Sequence, residues 1–93
     1  MTKFYAIHDE TAIQGIGTTA EEALRDYAGN AHYPLRQAED IYAAWEEWCE
    51  REGWTAFQPE ECTEALYRQC EAGEPWTWDR NKDGILCTRE EAA

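Results

Sequence analysis

The alternation of apolar and polar residues at the start of the chain predicts a β-hairpin. Residues 3–8 alternate between two faces, residues 12–16 form a second apolar run, and the polar residues 9–11 separate the two runs. A period of two is typical of a half-buried strand, and a short polar interval between two such runs is typical of a hairpin turn. We therefore expect two antiparallel strands at the start of the chain.

The spacing of apolar residues changes after Gly17 and predicts a helix. Thr18 with Glu21, or Thr19 with Glu22, can form a capping box that satisfies the free amides of a helix start. The apolar residues that follow recur three and four positions apart, as on one stripe of a helix. They are Ala20, Ala23, Leu24, Tyr27, Ala28 and Ala31. Gly29 and Asn30 are expected to weaken the end of this helix.

The strongest helical pattern runs from Arg36 to Glu52, after a break at Pro34, and Gly53 is expected to end it. Its predicted buried face consists of Ala38, Ile41, Trp45, Trp48 and Cys49, with Leu35 at its entry. A set of carboxylates lies away from that face: Glu39, Asp40, Glu46, Glu47 and Glu50. Glu46 and Glu50 are four residues apart and therefore stand about 6 Å from each other along the helix axis.

The middle of the chain predicts a short strand followed by a third helix. The strand covers residues 54–58, and Pro59 with two glutamates is typical of a helix start. Gly73 and Pro75 follow in the order expected at a helix end. The apolar face of this helix is predicted to contain Cys62, Ala65, Leu66, Gln69 and Cys70.

The last segment predicts a second hairpin. Residues 76–80 and 85–88 flank the turn Asn81-Lys82-Asp83-Gly84, whose glycine favours the left-handed conformation of a common hairpin connection. The element order is therefore ββααβαββ. This order describes an α+β fold with two β-hairpins, a short strand and three helices, in a single small domain over residues 1–93.

Composition and charge narrow the classes of function. The 93 residues include 20 acidic and 8 basic side chains, for a net charge of −12. Direct nucleic-acid binding needs clustered lysine and arginine, which this acidic chain lacks. An anionic membrane surface also repels an acidic chain. No apolar run is long enough for a signal peptide or a membrane span. We therefore expect a cytoplasmic protein.

The residues that carry catalytic chemistry are sparse. His8 lies in a predicted turn and His32 at a predicted helix end, where an isolated histidine is usually solvated. The four cysteines are spaced 13, 8 and 17 residues apart without a CxxC pair. Without an export signal, reduced and packed thiols are favoured over disulfides, and the spacing does not fit a zinc site. The sequence predicts a protein that is not an enzyme and has no cofactor.

Two local motifs leave alternatives open. Asp79, Asn81, Asp83 and Glu90 match the spacing of an EF-hand calcium loop, with Gly84 at its sixth position, although no entering helix precedes it. The same tract resembles the calcium motif of Excalibur-type domains, and that resemblance implies a disulfide between Cys62 and Cys87. The alternative is an ordinary hairpin turn without metal.

The tract from Gly15 to Ala28, with a glycine, a capping threonine and Glu-Glu-Ala-Leu, resembles the strand-to-helix junction of HicB-like antitoxins. That resemblance covers only this junction, and residues 1–93 are not expected to contain the family's additional strand and DNA-binding tail. It implies an antitoxin-like partner protein that binds a basic toxin.

The acidic charge is concentrated in the middle of the chain. Residues 35–74 contain 11 acidic and 3 basic groups, a net charge of −8. The simplest interpretation is a solvated face that keeps a small protein soluble. The alternative is that these carboxylates occupy a basic nucleic-acid channel of a partner, with an exposed aromatic residue such as Tyr42, Tyr67, Trp76 or Trp78 as an anchor.

As a whole the chain is similar to anti-CRISPR proteins and other small inhibitors from phages and mobile elements: one small, strongly acidic domain with few lysines. The resemblance implies binding to a host CRISPR-Cas complex or another basic nucleic-acid-binding protein, and a block of DNA entry. The residues expected to contact that partner are Glu39, Asp40, Tyr42, Glu46, Glu47 and Glu50. DNA mimics that act on restriction enzymes or repressors share the same features.

Overall fold

Five short strands form one mixed sheet in the computed structural model, which describes residues 2–93. The strands are β1 (Phe4–His8), β2 (Ile13–Gly17), β3 (Glu60–Cys62), β4 (Asp79–Arg80) and β5 (Leu86–Cys87). Their order across the sheet is β2-β1-β3-β5-β4. Strands β3 and β5 are parallel, and the other neighbouring pairs are antiparallel.

Four α-helices and one 3-10 helix accompany the sheet. They are α1 (Ala20–Asn30), the 3-10 helix (Pro34–Gln37), α2 (Ile41–Glu52), α3 (Glu64–Glu71) and α4 (Arg89–Ala92). The α+β class predicted from the sequence is confirmed. The elements follow the predicted order, but the strand between α2 and α3 is not at residues 54–58, and the short α4 is additional. No helix within residues 2–93 is both long and apolar enough to cross a membrane.

The core lies on both faces of the sheet, because neighbouring residues of β1 point in opposite directions. Phe4 and Ala6 pack with Leu66 of α3 in one cluster. Ile7 packs on the other side with residues of α1 and α2, including the fully buried Trp45. The sheet therefore separates α3 from the pair α1 and α2.

Glycines in β2 let α1 lie directly on the strand. A Cβ atom at Gly15 would stand 2.4 Å from the carbonyl oxygen of Ala23 and 2.6 Å from the amide nitrogen of Tyr27. The start of α1 follows the predicted capping pattern at Thr19, whose hydroxyl accepts a hydrogen bond from the Glu22 amide at 3.1 Å. Backbone contact on one side and a capped start thus fix α1 on the sheet.

The predicted start of α2 at Arg36 is wrong. The chain forms a 3-10 turn after Tyr33 and becomes extended at Ala38, and α2 begins at Ile41. Asp40 is the N-cap, and its carboxylate accepts the Ala43 amide at 3.1 Å. The side-chain cap, rather than the proline, therefore decides where this helix begins.

The boundaries after α2 also differ from the prediction. Residues 54–58 are not a strand, and residues 60–62 form β3 instead of the first turn of a helix. Cys62 is buried on the sheet, where it pairs with Phe4 of β1. Thr63 caps α3 through the Leu66 amide at 3.2 Å, so the helix begins at Glu64.

The second hairpin is present but shorter than predicted. Its strands are reduced to residues 79–80 and 86–87, so Trp76 and Trp78 precede it. Gly84 adopts the predicted left-handed conformation with φ of 79°. The turn is closed by a hydrogen bond from the Gly84 amide to the Asn81 carbonyl at 2.9 Å.

Candidate functional site

The α2 helix presents two different surfaces. Ile41, Trp45 and Cys49 are buried against the sheet and α1. Glu46, Glu47 and Glu50 are exposed and lie on the outward side of the same helix. We call the α2 acidic face the set of these three carboxylates together with the two that precede the helix, Glu39 and Asp40.

The carboxylates of the α2 acidic face differ in their local partners. Glu47 forms an ion pair with Arg51, with 3.2 Å between Oε1 and a guanidinium nitrogen. Asp40 is engaged as the helix cap. Within residues 2–93, the carboxylates of Glu39, Glu46 and Glu50 have no hydrogen bond to a protein donor and no cation within 4.0 Å. The face is thus only partly neutralised by its own chain.

The structure brings together most of the predicted residues. Glu46 and Glu50 lie one helical turn apart, about 6 Å along the axis, and the cap Asp40 lies about 15 Å before Glu50. Glu39 precedes the helix, where Arg25 donates to its carbonyl oxygen at 3.3 Å. Arg25 also donates to the carbonyl of Arg36 at 3.0 Å and thereby ties this segment to α1.

Tyr42 lies at the edge of the acidic face, where its side chain is exposed at 39%. Partial burial, the negative charge of Glu21 and the neighbouring Tyr5 raise the pKa of the Tyr42 hydroxyl. This hydroxyl therefore stays protonated and can donate a hydrogen bond at neutral pH. Glu21 of α1 therefore adds negative charge to the surroundings of Tyr42.

Glu21 is the residue that sequence reasoning missed at this surface. It belongs to the first turn of α1, where a glutamate is explained by the helix dipole alone. Only the packing of α1 beside α2 brings its charge close to Tyr42. Glu21 also contacts Arg25 at 3.5 Å, which is a long and partly exposed ion pair.

The other predicted aromatic anchors fall into two groups. Tyr67 packs on Phe4 with 4.8 Å between ring centroids, and Trp78 lies 5.1 Å from the His8 ring. These two side chains belong to the protein's own packing. Trp76 is 67% exposed and is the most open large apolar side chain among those of residues 2–93.

One side-chain oxygen of the predicted calcium loop is used within the hairpin turn. Asn81 Oδ1 accepts the amides of Asp83 and Ile85 at 2.9 and 3.0 Å. The Arg80 guanidinium donates to the Gly84 carbonyl at 3.1 Å and places a positive charge beside the loop. No group of three or more histidine, cysteine, aspartate or glutamate residues in the described chain is arranged to hold a metal ion. The geometry favours the hairpin turn, and calcium binding through Asp79, Asn81, Asp83 and Glu90 stays a prediction.

A hydrogen-bonded group of titratable residues joins three strands. Glu60 of β3 accepts two hydrogen bonds from Arg80 of β4, at 2.7 and 3.1 Å, and lies 3.2 Å from His8 of β1. The hydrogen bonds from Arg80 outweigh desolvation and lower the pKa of Glu60. The carboxylate therefore stays charged and links the strands, and no hydroxyl or thiol in the described chain is hydrogen-bonded to this group.

The cysteines are unpaired in the structure. Cys49, Cys62 and Cys87 are buried and Cys70 is half-buried. Burial raises the pKa of Cys62 to about 12 and that of Cys70 to about 11. Such thiols are protonated and weakly nucleophilic at neutral pH.

Comparisons of the chain with family models, with curated proteins and with solved structures find no significant match.

Proposed function

We propose that the protein is a non-enzymatic acidic inhibitor that binds a basic nucleic-acid-binding site of a host protein in the cytoplasm. A CRISPR-Cas complex is the first candidate for that partner. The α2 acidic face, with Tyr42 at its edge, takes the place of nucleic-acid phosphates. The observation that carries this proposal is the exposure of Glu46, Glu47 and Glu50 on one side of α2, where a single arginine pairs with Glu47 alone.

The fold does not need these carboxylates. Glu46 and Glu50 make no contact to a protein donor within residues 2–93, and like charges four residues apart destabilise a helix by about 0.2–0.5 kcal/mol per pair. Glu50 also lies in the last turn of α2, near the negative end of the helix dipole, where cations are favoured. A surface that costs stability and is nevertheless present supports a role in binding.

The charge density of the face supports a nucleic-acid mimic. Glu46, Glu47 and Glu50 place three carboxylates within about 6 Å of helix axis. One DNA strand carries one phosphate per about 3.4 Å of axis. A basic channel shaped for a phosphate backbone can therefore meet a similar number of negative charges on this helix.

Displacement of DNA from purified CRISPR-Cas effector complexes tests the proposal. A panel of guide-loaded complexes of different types is mixed with fluorescent target DNA, and the protein is titrated into each mixture. We expect loss of DNA binding by at least one complex, with an inhibition constant that weakens steeply as salt rises from about 50 to about 200 mM. Unchanged DNA binding across the panel would contradict the CRISPR-Cas assignment.

Two charge-reversal variants test whether the α2 acidic face forms the binding surface. The triple substitution Glu46→Lys, Glu47→Lys and Glu50→Lys is expected to abolish displacement. The matched control, Glu71→Lys, Glu74→Lys and Glu90→Lys, changes the net charge equally at exposed positions outside α2. If both variants lose DNA displacement equally, net charge alone is responsible. If both retain it equally, α2 is not part of the interface.

A further inference from the structure

A second surface, separate from the α2 acidic face, combines exposed aromatic rings with carboxylates. It is a groove of about 540 Å³ between the β1–β2 turn and the segment that joins α2 to β3. Tyr27, Tyr33, Trp54 and Phe57 supply its aromatic wall. The opposite rim consists of the turn residues Asp9, Glu10 and Thr11.

The aromatic wall is held in place by the fold. Tyr33 packs edge-on against Tyr27 at 5.8 Å and lies 6.1 Å from Trp54, measured between ring centroids. The amide of Trp54 donates to the Cys49 carbonyl at 2.8 Å. The indole of the buried Trp45 donates to the Phe57 carbonyl, also at 2.8 Å. Both ends of the segment that carries the exposed rings are therefore anchored.

Two aromatic side chains of the wall stay open to solvent. Trp54 is 46% exposed and Phe57 is 38% exposed. Both belong to the small set of large apolar side chains that the protein leaves accessible. Exposed rings beside a groove provide faces on which a planar or cationic group can stack.

The rim of the groove is negative and contains no lysine or arginine. Asp9 Oδ1 accepts hydrogen bonds from the Thr11 amide, the Thr11 hydroxyl and the Ala12 amide, at 2.8, 2.8 and 3.0 Å. Its other oxygen accepts from Gln14 at 2.9 Å. These bonds outweigh desolvation and lower the pKa of Asp9, so the carboxylate is charged at neutral pH.

Glu10 is the carboxylate of the rim that can still accept hydrogen bonds from a ligand. Its side chain is exposed and has no hydrogen bond or ion pair to any residue within the described range 2–93. Asp9 contributes charge while its oxygens are occupied by the turn. An incoming cation would therefore find attraction from both residues and free acceptor oxygens on Glu10.

We propose that this groove binds the guanidinium group of an arginine side chain from a partner protein, stacked on Trp54 and Phe57 and paired with Glu10. A guanidinium is planar, stacks on aromatic faces and donates two parallel hydrogen bonds to one carboxylate. An ammonium group is more strongly hydrated and lacks the paired geometry. Only the choice of a protein as the source of the arginine rests on the proposed function.

The site is tested with a small probe and its neutral isostere. N-acetyl-arginine amide is titrated into the ¹⁵N-labelled protein, and N-acetyl-citrulline amide, which keeps the shape without the charge, is titrated in parallel. With the arginine probe we expect saturable shifts of the Trp54 indole signal and of the backbone signals of residues 9–11 and 57. The citrulline probe is expected to bind at least about tenfold more weakly. Equal binding of both probes would overturn the proposal.

Two substitutions and one control localise the binding. Trp54→Leu and Glu10→Gln are each expected to weaken binding about tenfold or more. Trp76→Leu removes an equally large exposed ring outside the groove and is expected to leave binding unchanged. Equal effects of Trp54→Leu and Trp76→Leu would show nonspecific stacking and contradict the site.

Competing ligands separate the possible sources of the cation. Tighter binding of tetramethylammonium than of the arginine probe would refute the guanidinium assignment. Binding of free L-arginine with exclusion of an acetyl-Gly-Arg-Gly amide peptide would refute a protein source. Because no partner protein is present in these titrations, their failure leaves the DNA-displacement test of the proposed function unaffected.

Discussion

His32 adopts a backbone conformation that residues with a side chain rarely take. Its φ is 60°, the single positive value at a residue other than glycine within residues 2–93. The position follows the end of α1, where the Tyr33 amide donates to the Ala28 carbonyl at 2.8 Å and the His32 amide donates to the Gly29 carbonyl at 3.1 Å. Helices that end in this way usually place glycine in the left-handed position.

We expect His32→Gly to stabilise the protein. Glycine takes a positive φ without the steric cost of about 1–2 kcal/mol that a Cβ atom brings, although it also loses more chain entropy on folding. The expected net gain is about 0.5–1 kcal/mol in the free energy of unfolding, measured by urea denaturation. Ala31→Gly, at the preceding residue with φ of −85°, is expected to lower stability instead. An equal change in both variants would contradict the strain at His32.

The contact between β2 and α1 makes Gly15 a second sensitive residue. Gly15→Ala is expected to destabilise the protein by about 1–3 kcal/mol, because its Cβ would overlap backbone atoms of α1. Gly29→Ala is the matched control, since the nearest atom to its Cβ is Arg36 Cδ at 3.8 Å and the residue is helical. Thermal denaturation should show a lower melting temperature for the first variant and an equal or higher one for the second.

Residue-scale features are predictable from sequence where the chemistry is local. The cap at Thr19 and the left-handed glycines 53 and 84 follow from residue type and position. The conformation of His32 has no such signal, since histidine gives no preference for it strong enough to predict. The proximity of Glu21 to Tyr42 arises from packing between helices and is likewise not visible in the sequence.

Element boundaries show where a proline and a side-chain cap compete. Pro34 and Pro59 both favour a helix start, yet Pro34 opens only a 3-10 turn and Pro59 precedes a strand. The α-helices begin instead after Asp40 and Thr63, whose side chains accept amides of the first turn. Proline fixes φ near −65°, which fits a helix, a turn and an extended segment alike. A side-chain cap satisfies a free amide of the first helical turn, and such a cap stands at both boundaries.

The hydrogen bonds between Glu60 and Arg80 are expected to make the stability of the fold sensitive to acid. Because the pKa of Glu60 is lowered in the folded state from its ordinary value of 4.5, its bonds to Arg80 stabilise the fold above about pH 4.5. That contribution is lost as the pH falls from 4.5 through the lowered folded value. We expect Glu60→Gln to unfold at lower denaturant concentration than the natural chain at pH 7 and to lose less stability between about pH 5 and 3.

Arg80→Gln provides the control for this link. It removes the same hydrogen bonds from the opposite side and should flatten the pH dependence in the same way. Arg80 also donates to the Gly84 carbonyl and Glu60 also contacts His8, so the double variant should lose more stability than either single variant but less than the sum of the two. Urea denaturation across the pH range measures this difference. Additive effects of the two substitutions would show that the pair is not the source of the pH dependence.

At the scale of the whole molecule, the net charge of −12 acts on stability and on binding in opposite senses. Added salt screens repulsion among carboxylates and also screens attraction to a basic partner. We expect the melting temperature to rise by several degrees between about 10 and about 500 mM sodium chloride. The variant Glu46→Gln, Glu47→Gln and Glu50→Gln should show a smaller rise, and a decrease with salt in the natural chain would contradict the self-repulsion.

The α+β class follows from the hydrophobic pattern because the first hairpin and the three longer helices signal themselves locally, whereas β3 and α4 do not. The groove of aromatic rings does not, since it joins the β1–β2 turn, the end of α1 and the loop after α2. No periodicity relates Glu10 to Trp54. The acidic face is intermediate: the outward side of α2 was predictable from helical spacing, while the position of the helix start was not.

The most direct test of binding through the α2 acidic face places a photoreactive group on that face. Tyr42→p-benzoylphenylalanine is irradiated with the effector complex whose DNA binding the protein displaces, and Trp76→p-benzoylphenylalanine is the control at an exposed site elsewhere. We expect a crosslink from position 42 to the DNA-binding channel of the complex, and its loss when excess target DNA is added. A crosslink from position 76 alone, or one from position 42 that DNA does not suppress, would contradict binding through this face.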